Sequence, residues 1–241
     1  MRFVGIIPAR YDSQRLPGKA LLHLAGKPLI QWVYEGASGS SLLADLWVAT
    51  DDRRIFSAVE SFGGKVTMTS PHHCSGTDRV AEAASRLKAD VFVNIQGDEP
   101  LISPITVDAI CQSFVQDPET QISTAKIRLS EAQDIADPNQ VKVVCDGTGR
   151  ALCFSRAPIP YPRSKALYFK HLGIYAYRAE TLSRIASLKP SPLELSEGLE
   201  QLRFLESRIP IQVVELKEDA IGVDTLQDVE RVTPLLENIG K

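Results

Sequence analysis

Three cations, Arg10, Arg15 and Lys19, stand within the segment Pro8-Ala9-Arg10-Tyr11-Asp12-Ser13-Gln14-Arg15-Leu16-Pro17-Gly18-Lys19. The apolar run Phe3-Val4-Gly5-Ile6-Ile7 leads straight into them and reads as a buried first strand. Pro17-Gly18 then breaks regular structure. The cations therefore ride a loop at the carboxyl end of a strand, where open α/β sheets bind their ligands. Charges crowded into one tight loop suit a compact polyanion. A triphosphate fits better than nucleic acid, which calls for cations spread along a face.

Carboxylates stand at comparable places. Asp98 lies in Gln96-Gly97-Asp98-Glu99-Pro100, just past the apolar run Val91-Phe92-Val93-Asn94-Ile95. A carboxylate at a strand's carboxyl end, after a glycine that lets a ligand approach, is well placed to hold Mg²⁺. Asp224, in Gly222-Val223-Asp224-Thr225, follows a late strand and precedes a helix. It reads equally well as an N-cap and as a second metal-binding carboxylate. Glu99 is adjacent to Asp98 on an extended segment and should point away from it, so it is expected to be structural. Ser75 and Thr77, in His73-Cys74-Ser75-Gly76-Thr77-Asp78-Arg79, are candidate helix caps. His72-His73 reads as plain loop, because adjacent histidines rarely chelate one ion and no third ligand is suitably spaced.

The elements that must position these residues alternate through the first half. Strands are expected at 2–7, 46–49, 65–68 and 91–95, with helices starting near Pro28, after Asp51-Asp52, over about 77–87 and after Pro104. That rhythm argues for a mostly parallel sheet covered by helices on both faces. It breaks near residue 120. Strands at 121–128, 140–145, 151–155 and 171–177 are separated by one short helical piece and by a Pro-rich, basic loop at 156–170. Helices over 179–188 and 192–207, a strand over 211–216 and a last helix after Asp224 complete the chain. His171 and Tyr175, four apart on a strand, should share a face.

Composition narrows the field. The 241 residues are 44% hydrophobic and 24% charged, enough for one sizeable core. A net charge of −3 gives no global attraction to nucleic acid or anionic membrane, so anion binding must be local. Four cysteines without CxxC spacing suggest thiols in a reducing compartment. With no signal-peptide pattern and no membrane-length apolar run, a cytoplasmic protein is expected. The chain shows no Walker A run, no GxGxxG and no GxSxG.

The segment IIPARYDSQRLPGK at 6–19 resembles the signature of the sugar nucleotidyltransferases, in particular the cytidylyltransferases that make CMP-activated acidic sugars. Further matches are VATDD at 48–52, HCSGTDR at 73–79, VNIQGDEPLI at 93–102, FSRAPIP at 154–160, HLGIYAYR at 171–178, PSPLELSEGLEQLR at 190–203 and GVDTLQDVERV at 222–232. Within that group the chain looks like the enzymes whose sugar acid is 3-deoxy-D-manno-octulosonate (Kdo). The resemblance implies a Rossmann-like α/β nucleotide-sugar transferase domain over 1–241, with an antiparallel dimerisation excursion at about 121–178 and a homodimer. It implies CTP and Kdo as substrates, CMP-Kdo for lipopolysaccharide synthesis and pyrophosphate as products, and Mg²⁺ held by Asp98 and Asp224. Ala9, Arg10, Arg15, Lys19, Ser75, Gly76 and Asp98 would hold the nucleotide, with catalysis from Arg10, Lys19, Asp98 and Asp224. Gln96, Arg156, His171, Tyr175, Glu200 and Gln201 would face the sugar acid. A sialic acid cytidylyltransferase and a catalytically silent binding protein on the same fold remain the alternatives.

Overall fold

The computed structural model describes residues 1–12, 16–73 and 75–239. The chain forms two compact units, one from Met1–Asp108 with Ala220–Lys241 and one from Ala109–Asp219. None of the described helices is long and apolar enough to cross a membrane.

The first unit runs β1 (Phe3–Ala9), a small hairpin of β2 (His23–Leu24) and β3 (Lys27–Pro28), α1 (Leu29–Ser38), β4 (Leu43–Thr50), α2 (Arg53–Ser61), β5 (Val66–Met68), α3 (Gly76–Ala84) and β6 (Val91–Asn94). Helix α4 (Pro104–Gln116) begins in it and ends in the second unit. Apart from the hairpin, its strands are parallel, in the order β5-β4-β1-β6. Ile6, Ile7, Val48, Ala49, Val91 and Val93 have no exposed surface. Such continuous apolar runs mark strands covered on both faces. Helices α2 and α3 start at side-chain caps. Asp52 accepts a hydrogen bond from Arg54 N at 2.8 Å. Ser75 accepts from Asp78 N at 3.1 Å while Asp78 accepts from Ser75 N at 3.2 Å, a reciprocal capping box. Pro28 falls one place earlier than expected. It pairs with His23 in the hairpin and precedes α1 instead of filling its first turn.

The second unit contains β7 (Ile122–Leu129), α5 (Ala132–Ala136), β8 (Lys142–Cys145), β9 (Ala151–Ser155), β10 (Tyr168–Arg178), α6 (Ala179–Ile185), α7 (Pro192–Glu197), α8 (Gln201–Glu206) and β11 (Ile211–Glu215). Here β11 runs parallel to β7, while β7 with β10, β10 with β8 and β8 with β9 are antiparallel. β10 starts earlier than the sequence suggests, because Tyr168–Lys170 already pair with Leu129–Ile127. The single helix expected over 192–207 is two. Gly198, at φ 62°, ends α7 in a left-handed turn that the next helix does not share. Chain then returns to the first unit and closes with α9 (Leu226–Ile239), which buries Val232 and Leu236 one turn apart.

One polar corner holds α7 to α8. Glu194 caps α7 from Ser191 N and also takes two hydrogen bonds from the Arg203 guanidinium, at 2.7 and 2.5 Å, with both side chains 13% exposed. Ser191→Ala should cost about 1 kcal/mol as a lost cap. Glu194→Ala should cost about 1.5–3 kcal/mol, because it removes a charged acceptor of two Arg203 hydrogen bonds while Arg203 keeps its bond to the Leu188 carbonyl at 3.0 Å. Urea titrations of both variants check this, and equal losses would show that the ion pair adds nothing.

Candidate active site

The carboxyl ends of β1 and β6 meet at a cleft of about 340 Å³. Gly97 makes the approach possible: a Cβ there would lie 2.6 Å from the Pro8 carbonyl oxygen, so any side chain would force the two loops apart. Ala9 and exposed Arg10 lead from β1 into the cleft. The loop beyond closes where Gly18 N donates to Tyr11 O at 3.0 Å. Gly18 adopts φ 70°, which glycine reaches without penalty. It hands the chain to a single 3-10 turn, Lys19–Leu21, that points Lys19 into the cleft. Arg15 lies outside the described residues.

Lys19 joins the two aspartates. Its ammonium donates to Asp98 Oδ2 at 2.6 Å and to Asp224 Oδ1 at 2.9 Å. Backbone supports the same meeting, since Val223 N donates to Asp98 O at 2.9 Å. Lys19 is 14% exposed, against 31% for Asp98 and 39% for Asp224, so the carboxylates stay open to the cleft while the ammonium sits deeper. Burial pulls the Lys19 pKa down, but Asp98 and then Asp224 outweigh it and hold the group above its usual value. The cap at α9 falls to Thr225. Its hydroxyl accepts from Asp228 N at 3.3 Å and Asp228 accepts from Thr225 N at 2.9 Å. Asp224 thus points into the cleft, not at the helix.

This donor set fits one kind of metal. Among the described residues no three His, Cys, Asp or Glu side chains converge as zinc requires. Two carboxylates that already share a cation meet the need of Mg²⁺, which takes one or two carboxylates and completes its shell with phosphate and water. Glu99 is buried and does not line the cleft, as expected, but for a different reason. Gln96–Glu99 is a turn closed by Glu99 N to Gln96 O at 3.3 Å, not an extended segment.

The far wall carries Ser75, Gly76, His73 and Arg79, and Gln96 lines the same cleft. The Ser75 hydroxyl caps α3, and the residue also lines the cleft. His73 Nε2 lies 2.5 Å from Glu82 Oε2 and is occupied in the loop. Arg79, given no role from sequence, is 4% exposed. It donates to Asp51 Oδ2 and to Thr69 Oγ1, each at 2.6 Å, tying β4's end to the turn before α3. A signal existed: a cation one helical turn from buried Ala83 needs a partner.

The second unit gathers most of the proposed sugar-side residues. A register shift between Leu172 and Tyr175 sets His171 opposite Lys126 and Tyr175 opposite Thr124. Two extra residues leave the alternation intact, and the two rings meet at 5.3 Å. Tyr175 stacks on Tyr177 at 5.7 Å. Burial, then Tyr177 and Glu200, push the Tyr175 phenol well up. Gln201 is buried beside Glu200 at the start of α8. The Arg156 guanidinium does not stand as an open fork. It donates to the carbonyls of Glu197 at 2.7 Å, Pro138 at 3.0 Å and Gly198 at 3.4 Å, leaving two of its five N–H groups for other partners. His171 Nε2 sits 2.9 Å from Thr124 Oγ1, which also reaches the carbonyls of Leu172 and Ile174. One hydroxyl proton serves one acceptor at a time, so with a carbonyl taking it, Nε2 is the nitrogen that donates. Burial pushes the His171 pKa from 6.5 to about 3.

Residues 4–212 match the sequence model of the cytidylyltransferase family. A 3-deoxy-manno-octulosonate cytidylyltransferase of Solibacter usitatus is 47% identical over 98% of this chain and 95% of its own length. One from Escherichia coli is 47% identical over 96% of this chain and 94% of its own. A solved structure of CMP:2-keto-3-deoxy-manno-octonic acid synthetase complexed with CTP superposes with a TM-score of 0.96 at 46% identity, covering 99% of this chain and all of the other.

Arg79→Met should cost about 3–5 kcal/mol in urea unfolding by leaving Asp51 unpaired. The double variant with Asp51→Asn should lose less than the sum of the singles; strict additivity would uncouple the pair. A second outcome concerns His171. Between about pH 3 and 6.5 the unfolded chain carries an imidazole proton that the folded chain does not, so stability falls as pH drops through that window and is unaffected by this group above it. Unfolding at about pH 7 and about pH 5 should show a loss that His171→Gln reduces. An unchanged loss would assign the dependence to other groups.

Proposed function

The chain belongs to the 3-deoxy-manno-octulosonate cytidylyltransferases, and we propose that it transfers CMP from CTP to the anomeric hydroxyl of Kdo, releasing pyrophosphate. The observation that carries this reading is the Lys19–Asp98–Asp224 cluster at the carboxyl ends of the strands. The anomeric oxygen attacks the α-phosphorus, the bond to the β-phosphate bridge breaks in line, and no covalent enzyme intermediate is required. Positioning and charge compensation then supply most of the rate.

Each residue has a task in that scheme. Arg10, Lys19 and Arg15 hold the triphosphate and offset charge growing on pyrophosphate. Ser75 and Gly76 face the cytosine and ribose, and Ala9 lets the nucleotide lie against β1. Asp98 and Asp224 would hold Mg²⁺, which when bound polarises the α-phosphate and lowers the pKa of the attacking hydroxyl. Gln96, Arg156, His171, Tyr175, Glu200 and Gln201 contact the sugar acid. His171, with its pKa near 3, is a hydrogen-bonding wall at neutral pH and not a general base. We further propose a homodimer formed through the excursion at about 121–178. Strand β9 pairs with β8, and exposed Leu152 and Cys153 lie on it. Residence in the cytoplasm accords with Cys145 and Cys153 being free thiols.

Pyrophosphate release measured with CTP and Kdo, with sialic acid replacing Kdo and UTP replacing CTP, tests the reading. Activity with CTP and Kdo alone supports it; equal use of sialic acid would favour a broader sugar-acid cytidylyltransferase, and none with any pair a silent binding protein. Asp98→Ala and Asp224→Ala should each lose nearly all turnover while circular dichroism stays unchanged. Near-wild-type turnover in either would remove that residue from the metal site.

A further inference from the structure

Asp98 and Asp224 come from loops far apart in sequence, and at the separation they adopt they would repel one another without a cation between them. That cation is the Lys19 ammonium, 2.6 Å from one carboxylate and 2.9 Å from the other. We propose that Lys19 is a built-in stand-in for the divalent ion: it holds the two carboxylates in register in the free protein, and it excludes the metal until a triphosphate draws the ammonium away. This inference rests on the metal reading above and adds the control of that same site.

Charge and shape carry it. A divalent ion arriving at the same two oxygens would meet a positive charge in contact with both. The two cannot share the pair, so the ammonium must leave. Lysine is suited to leaving, since a compact charge on a flexible four-carbon stem can move without its backbone. Gly18 and the 3-10 turn fix that backbone. An ammonium has three N–H donors, and a triphosphate in this cleft offers several anionic oxygens to receive them. Nucleotide binding then vacates the carboxylates, and metal binding favours the displaced lysine. Each ligand raises the affinity for the other by the same factor.

The test is Mn²⁺ binding to the full chain without nucleotide, read from the electron paramagnetic resonance signal of free Mn²⁺ at about 0.15 M salt, where distant charges are largely screened. Lys19→Met should bind one Mn²⁺ about tenfold or more tightly than wild type, within the usual range of coupling between sites. Lys19→Gln should do the same if the methionine variant folds poorly. Arg10→Gln removes a cation from the same cleft without touching the carboxylates and should change affinity by less than about threefold. Adding Asp98→Asn to Lys19→Met should abolish the gain. Equal Mn²⁺ affinity in wild type and Lys19→Met, with Asp98→Asn weakening both, would overturn the stand-in and leave the metal site standing. A gain that survives Asp98→Asn, or is matched by Arg10→Gln, would also overturn it. No Mn²⁺ binding to any variant would remove the metal site itself, and the stand-in with it.

Discussion

Two carboxylates that face one cleft repel one another, and in the first unit a single ammonium offsets that repulsion. Asp98 rides a loop at the end of a central parallel strand, and Asp224 rides a segment that returns from the far end of the chain. One ammonium and one backbone hydrogen bond, Val223 N to Asp98 O, bring them together. The other features of the cleft follow from its position. Gly97 must lack a side chain for the loop to reach Pro8, and Gly18 must adopt a left-handed turn for Lys19 to enter. Thr225 takes over the helix cap, which leaves Asp224 to the cleft.

The second unit meets a different constraint. Its polar groups are buried among aromatic rings, so each needs a local partner. Thr124 serves His171 and two carbonyls through a single hydroxyl oxygen, and Arg156 binds three carbonyls from two segments. Ring contacts at His171, Tyr175 and Tyr177 and the three carbonyls on Arg156 hold this wall in place. Rigidity suits recognition of a polyhydroxylated acid, because groups that are already oriented lose little freedom on binding.

Much of this was legible in the residues. Apolar runs followed by glycine and a charged residue located β1, β6 and their loops, and the alternation of strand and helix gave the parallel sheet. The kinship was legible too, because its motifs are long and spread along the chain. What escaped involves partners distant in sequence or a local break that costs little. The Arg79–Asp51 pair joins residues 28 apart on different elements, which no local pattern reports. A single glycine in a helical pattern costs only about 1 kcal/mol, so the break at Gly198 was read through. The geometry at Glu99 escaped as well, because Gln96–Glu99 turns where its alternation with Asp98 suggested an extended segment.

The contact between Lys19 and Asp224 spans 205 residues of chain. During synthesis, then, Lys19 and Asp98 exist together for the whole time in which Ala109–Asp219 is being made, and the second carboxylate arrives only afterwards. A contact so distant must wait for loop closure. Until Ala220–Lys241 is made, the first unit lacks both Asp224 and α9, and Lys19 faces Asp98 as one base and one acid. The pairing of the two carboxylates therefore waits for Ala220–Lys241, the last part of the first unit to be made, by which time the neighbouring unit has been made in full.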